Sequence, residues 1–580
     1  MRLGTAILIL LLLLLLIPSH PYNRCSSILK GNYARDKYYI KAYLALNGTL
    51  TSSLILIHVN NQPISLRDLC FHIYPNSAYF RKRGGLFEVL WVKVVIDGMC
   101  ARAKYRIEGE DGSLLRVLLP KVLPSGGLVN VSIGFVERPP KAKDRYGRWG
   151  GIYAFGNWYP ILAKMRNGAW DSEPYSQIGE SFYSDVANYY VEITVPEGFV
   201  VGATGCLTSL LRLNGSLKYS WVAENVRDFS WTASREYVIL NSTAIVKGRI
   251  VEIHAYCLPH HRRSGLRAIG IASKALRIFS KLVGSYLYPS LSICEVYAWF
   301  NGMEYPGLVM VSSYLYGGDP LSLEITLAHE IAHQWWGMIV GNDQGREPWM
   351  DEAFAQYFTV IYFEECYGRD EGRRIFNELI RDPYYAFLKE RGEVNDAPSR
   401  SVWSFDSDVE CYVNIVYNKG AWVLRLLRAI LGDKVFIDVL RRVYSDYRFK
   451  NISIRNFIQV AEDVSGLQLR GFFEDWLFSP GVVSFSIANL TIKRAGGNYL
   501  VSGCLYEARG NKFYPLPVTV TFYLEPGGPT KLLVKFRAPY TSFSITLSSK
   551  PVRITIDEED LVPGKDASYI FKQGKLILEY

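Results

Sequence analysis

Eight histidines are all that 580 residues contain, and none lies beyond His333. A histidine-based metal site in the C-terminal half is therefore confined to one place. The nine cysteines form no C-x-x-C pair, which removes the usual thiolate zinc sites and thioredoxin-like redox motifs. None of these thiols reads as a metal ligand or a nucleophile. Their odd number leaves the pairing open, although an oxidising compartment would permit disulfides. The net charge of +10 is dispersed, with no long basic run, so nucleic acid is not an expected partner. Internal repeats, low-complexity tracts and disordered linkers are also missing. Only one apolar run is long, from Ala6 to Ile17, flanked by Arg2 and by Pro18-Ser19. A membrane span needs about 20 such residues, so this shorter run suits the core of a signal peptide, with an uncleaved anchor as the alternative. Residues 1–24 are assigned to this address segment. The protein is expected outside the cytoplasm, secreted or anchored to a membrane through its N-terminus. Asn-x-Ser/Thr sites at Asn47, Asn130, Asn214, Asn241, Asn451 and Asn489 agree with that address.

What remains is a globular chain, 49% hydrophobic and 14% aromatic, long enough for roughly two to four domains. From about Asn32 to Ser242, short Val-, Ile-, Tyr- and Leu-rich segments alternate with Gly, Asn and Pro turns. Examples are Tyr38 to Leu46, Ser53 to Val59, Leu114 to Leu119 and Tyr189 to Val195. They predict a large, mostly antiparallel β domain over 25–242. The period then changes. Arg263 to Val283 reads as an amphipathic helix and Leu291 to Phe300 as a strand. Further helices are expected over Glu371 to Ile380, Val413 to Leu431 with Gly432 as C-cap, Val435 to Tyr447 and Ile454 to Ser465. Alternation returns in 481–580, notably at Val518 to Phe522 and Arg553 to Ile556, and predicts a small β-sandwich.

Chemistry concentrates in Asp319 to Phe358. Asp319 is a good N-cap and Pro320 fits the first helical position. Leu323, Leu327, Ile331 and Trp335 give the helix a buried stripe. Within it lies His329-Glu330-Ile331-Ala332-His333, an H-E-x-x-H pattern. Two histidines one helical turn apart share a face and can grip one zinc ion, with Glu330 beside it. Eighteen residues after His333 comes Glu352, near the start of a second helix that opens at Glu347-Pro348-Trp349. A helix–loop–helix can bring Glu352 back as the third ligand. The fourth position would hold water, which is the catalytic arrangement. Two other stretches are ambiguous when taken alone. Glu304, in Asn301-Gly302-Met303-Glu304-Tyr305-Pro306-Gly307, is either a solvated turn residue or a carboxylate pointing into a cleft. Tyr417 is one of 40 tyrosines, most of which pack.

Together these motifs resemble the M1 aminopeptidases, zinc gluzincins that include aminopeptidase N and leukotriene A4 hydrolase. His329, His333 and Glu352 reproduce that family's ligand spacing. Gly302-Met303-Glu304 is similar to its exopeptidase motif, and Tyr417-Asn418-Lys419-Gly420 to its catalytic tyrosine segment. The resemblance implies an α+β multidomain fold: an N-terminal antiparallel β domain, a thermolysin-like catalytic domain over 243–480 and the C-terminal sandwich. It implies one Zn2+ per chain, Glu330 as general base, Tyr417 as oxyanion donor, and Gly302, Met303 and Glu304 as substrate-binding residues. The expected activity is removal of N-terminal residues from peptides. A metalloendopeptidase on the same scaffold and a non-catalytic binding scaffold are the alternatives. Tyr305 stands where the family has Asn, with a narrowed pocket or an altered hold on the amine end as the expected effect, and Asn301 stands where it has Gly. No counterpart of the first domain's acidic motif appears around Trp158 to Trp170. The large C-terminal helical domain of many members has no counterpart either, and a more open cleft is the expected result.

Overall fold

Period-two patterning carries over directly into strands. In Lys37–Leu44, Tyr38, Ile40, Ala42 and Leu44 are buried while Lys37, Lys41 and Tyr43 are exposed, as expected of a strand with one face on a core. The computed structural model describes residues 35–580 except 393, 509–516, 536–539, 558–560, 563, 566–567, 573–574 and 580. The address segment 1–24 lies outside the described residues. Among the described residues no helix is long and apolar enough to cross a membrane.

The first region is built on an eight-stranded sheet. Its strands run Cys206–Leu213, Ser216–Val226, Ala187–Pro196, Lys37–Leu44, Leu50–Val59, Leu128–Arg138, Leu86–Ile96 and Met99–Arg102 in spatial order. The pairing is antiparallel except between Lys37–Leu44 and Ala187–Pro196. One short helix, Ala78–Lys82, interrupts the strands; it is too short to show a helical period in the sequence.

The central region contains a five-stranded mixed sheet. Its order is Val238–Val246, Arg249–Cys257, Ser290–Val296, Leu308–Ser312 and, at the edge, Gly302–Tyr305. The strand expected over Leu291 to Phe300 stops at Val296, because residues 297–301 turn the chain back into the edge strand. The helix Arg262–Leu282 buries Ala268, Ala272, Ala275, Leu276 and Phe279. It packs beside the helix Pro320–Ala332, which packs in turn on Phe354–Tyr367. Gly432, at φ 77°, breaks the long helix Gly420–Tyr447, where the sequence marks a C-cap.

The last region is a sandwich of a four-stranded and a five-stranded sheet. Phe522 of one sheet meets Phe543 of the other with ring centroids 6.2 Å apart. Among the described residues Cys70, Cys100, Cys257, Cys294, Cys366, Cys411 and Cys504 are free thiols.

Candidate metal centre and its surroundings

The histidine helix is set by local sequence. The Asp319 carboxylate accepts from Ser322 N–H at 3.1 Å, and Pro320 occupies the first turn. Leu323, Leu327 and Ile331 fill the core side, which turns His329 and His333 to the other side with their Nε2 atoms 3.1 Å apart. His333 Nδ1 lies 3.1 Å from the carbonyl of Trp336. A proton donated there fixes the tautomer and leaves Nε2 free to bind a metal.

The chain then loops back into a π-helical turn, Trp349–Ala353, that carries Glu352. Glu352 Oε2 lies 3.4 Å from His329 Nε2 and 3.2 Å from His333 Nε2. A tetrahedral ion with bonds of about 2.0–2.1 Å holds its ligand atoms roughly 3.4 Å apart. The triangle of His329, His333 and Glu352 therefore has the dimensions of three corners of such a site. Among the described residues Glu352 Oε2 is buried and faces the two imidazoles without a conventional hydrogen bond, as a ligand atom should. The donor set fits one zinc-sized ion.

Glu330, the other carboxylate of the motif, is also buried with Oε2 unpaired. Burial, and then the charge of Glu304, pushes its carboxyl well above the usual carboxylate range. It leans over Gly302: a Cβ there would lie 2.3 Å from Glu330 Oε1. Gly302 thus serves the site by making room for Glu330.

The edge strand Gly302–Tyr305 sorts its side chains by alternation. Glu304 faces the metal helix. It is buried and accepts from Gln344 Nε2 at 3.3 Å, which excludes the solvated turn. Burial raises its carboxyl above the ordinary value, His333 opposing and Glu352 adding to the rise. Met303 and Tyr305 point the opposite way into an apolar cluster with Val296, Ala298 and Met310. The Met303 side chain therefore packs in the core, and the Tyr305 hydroxyl is turned away from the metal helix to donate to Asn157 Oδ1 at 3.0 Å.

Tyr417 also sits on a π-helical stretch, Val413–Lys419. Its ring stacks on His329 with centroids 5.6 Å apart and planes 4° from parallel. Burial, and next the charge of Glu352, pushes its hydroxyl well above the normal tyrosine value, so it stays protonated as a donor. The two π segments are fastened together. Trp349 Nε1 donates to Gly420 O at 3.2 Å, and Gln356 Nε2 to Asn418 Oδ1 at 3.0 Å. A Cβ at Gly420 would come within 2.8 Å of Ala353 Cβ. That close approach brings Tyr417 to the metal ligands.

Sequence reading missed Gln334, Glu180 and Arg145. Gln334 donates to Tyr305 O at 3.0 Å and accepts from Gly307 N–H at 2.8 Å, tying the metal helix to the edge strand. Glu180, from the first region, is buried and paired with buried Arg145 at 3.2 Å. Burial, then Glu304 and Glu352, pushes its carboxyl well above the usual range. It brings an acidic side chain toward Glu304 and Glu352 from outside the stretch Trp158 to Trp170. Only the Gly179-Glu180 turn marks it in sequence, and such turns are common.

Residues 267–476 match the profile of the Peptidase family M1 domain. That stretch takes in His329, Glu330, His333, Glu352 and Tyr417 and is just over a third of the chain. Over 202 residues it is 29% identical to Tricorn protease-interacting factor F2 of Thermoplasma acidophilum, a match covering 34% of this chain and 24% of that one. Over 177 residues it is 30% identical to aminopeptidase N of Lactococcus lactis, covering 29% and 20%. The matched part thus spans about a quarter of the length of these relatives. Two solved structures share the fold. Legionella pneumophila aminopeptidase A, in complex with aspartic acid, aligns at TM-score 0.66 and 15% identity over 92% of this chain and 60% of that one. The M1 zinc metallopeptidase of Deinococcus radiodurans aligns at 0.57 and 17% over 76% and 93%. The shared fold accounts for the order of β-rich region, helical region and sandwich.

Proposed function

We propose that this chain is a zinc-dependent aminopeptidase that removes N-terminal residues from peptides. The single observation that carries the reading is the convergence of His329, His333 and Glu352 on one ion-sized point, with Glu330 beside it and Glu304 and Glu180 behind it. Names of M1 relatives as aminopeptidases support it. Zinc held by His329, His333 and Glu352 would supply Lewis acidity toward the scissile carbonyl and make a neighbouring water a stronger acid.

The chain's own groups do the rest. Glu330 takes a proton from the attacking water and returns it to the leaving amine. Tyr417, kept neutral, donates its hydroxyl proton in a hydrogen bond to the oxygen that becomes negative as the carbonyl carbon turns tetrahedral. Glu304 and Glu180 receive the free α-ammonium of the substrate. That ion pair sets the first peptide bond in line for attack and leaves no room for chain upstream. Arg145 offsets the mutual repulsion of these carboxylates.

Hydrolysis of aminoacyl chromogenic amides tests this reading. Activity should vanish with a chelator, return with zinc and be blocked by N-acetylation of the substrate. Equal internal cleavage of acetylated peptides would mean that Glu304 and Glu180 do not bind the substrate's α-ammonium.

We also place the enzyme outside the cytoplasm. The apolar run Ala6 to Ile17 after Arg2 supports this, as do exposed sequons at Asn47, Asn214 and Asn241. Asn451 is a poor acceptor, since its amide nitrogen already donates to Asp185 at 3.1 Å. Recovery of the native protein only in the soluble cytoplasmic fraction would reject the assignment.

A further inference from the structure

We propose that Lys419 and Asp396 are positioning residues for Tyr417, their buried ion pair tying the π-helical turn that carries the tyrosine to the entry of the C-terminal β-sandwich. The inference rests on the peptidase reading for the role of Tyr417 and goes beyond it in assigning the sandwich a part in catalysis.

Lys419 and Asp396 side chains are 0% and 2% exposed and 2.9 Å apart. Asp396 Oδ1 accepts from Gly481 N–H at 2.6 Å, and Oδ2 from the Tyr384 hydroxyl at 2.5 Å. Lys419 Nζ also donates to Gly481 O at 3.1 Å. Both backbone groups of Gly481 are thus held, two residues before the first sandwich strand, Val483–Ala495. Trp422, in the helix that continues from Tyr417, adds a second tie by donating from Nε1 to Leu561 O at 2.9 Å.

A buried ion pair adds little net stability over a well-packed apolar pair of similar volume. What it adds is direction, because charge-assisted hydrogen bonds hold only within a narrow geometry. A π-helical turn has particular need of this. It is a rare, locally irregular form that neighbouring contacts must maintain. Lys419 sits two residues past Tyr417, at the end of the turn, so shifting its ammonium shifts the tyrosine. The linker into the sandwich thereby sets the reach of the Tyr417 hydroxyl.

Lys419→Met alone would leave the Asp396 carboxylate buried and unpaired, so the informative variant is the charge-free pair Lys419→Met/Asp396→Asn. It should bind zinc as the unmodified enzyme does and keep KM within about twofold. Its kcat should fall about tenfold, the usual scale for supporting contacts. In a Tyr417→Phe background the same pair should cost nothing further. Amide hydrogen exchange should speed up across residues 413–420 and stay unchanged across 320–333. The same fold-loss in both backgrounds, a loss carried by KM alone, or unaltered exchange at 413–420 would each overturn the proposal. If the unmodified enzyme cleaves no aminoacyl amide, the peptidase reading fails while the exchange measurement still decides whether the clamp exists.

Discussion

The histidine helix and the two π-helical turns meet at the same point but are held there by different means. Pro320–Ala332 is a regular helix with a side-chain cap, a proline in its first turn and an apolar stripe. Its two ligands face one way because 3.6 residues make a turn. Trp349–Ala353 and Val413–Lys419 have neither cap nor stripe. Glu352 and Tyr417 are aimed by tertiary contacts: Trp349 to Gly420, Gln356 to Asn418, and Lys419 to Asp396. Local propensity supplies half of the site, and packing between distant segments supplies the rest.

Substitutions can separate the two. Tyr417→Phe should have the largest effect on turnover, lowering kcat by about 10²–10³-fold with zinc content intact, the range seen on removing one oxyanion donor. A normal kcat in steady-state assays would mean that the second π turn is packing only. Gly420→Val comes next. Its side chain would wedge apart Ala353 and Trp349, costing about 1–3 kcal/mol by overpacking. It should lower kcat and metal affinity together, since it displaces both π turns. If thermal unfolding shows the destabilisation while kcat and metal affinity hold, the two turns are not coupled. Asp319→Ala, on the regular helix, should do least. A small fall in Tm with unchanged kcat is expected, because the apolar stripe still fixes the helix.

What the sequence disclosed follows the same division. His329, Glu330 and His333 can be read from spacing within one helix, and the β regions from period-two alternation such as that of Lys37–Leu44. Glu352 is legible as a third ligand from the helix–loop–helix that follows the histidines, and Tyr417 only through resemblance to a family. Nothing local says that residues 349–353 and 413–419 take π geometry, since that depends on Gly420 meeting Ala353 across a gap of 67 positions (420 minus 353). Glu180 was hidden for a related reason: it reaches the site from the first region through its pairing with Arg145. A motif names residues without saying which face of the strand each occupies; strand alternation from Glu304 turns the Met303 and Tyr305 side chains inward.

The central claim is that His329 and His333, placed by a helix, and Glu352, placed by packing, form one metal site. Zinc bound per chain, measured by atomic absorption on the unmodified protein and on Glu352→Ala after chelation and reconstitution, tests it most directly. Close to one zinc is expected in the first and, at matched free zinc, little retained in the second, with the helical circular dichroism unchanged. Equal zinc and equal affinity in both proteins would contradict it.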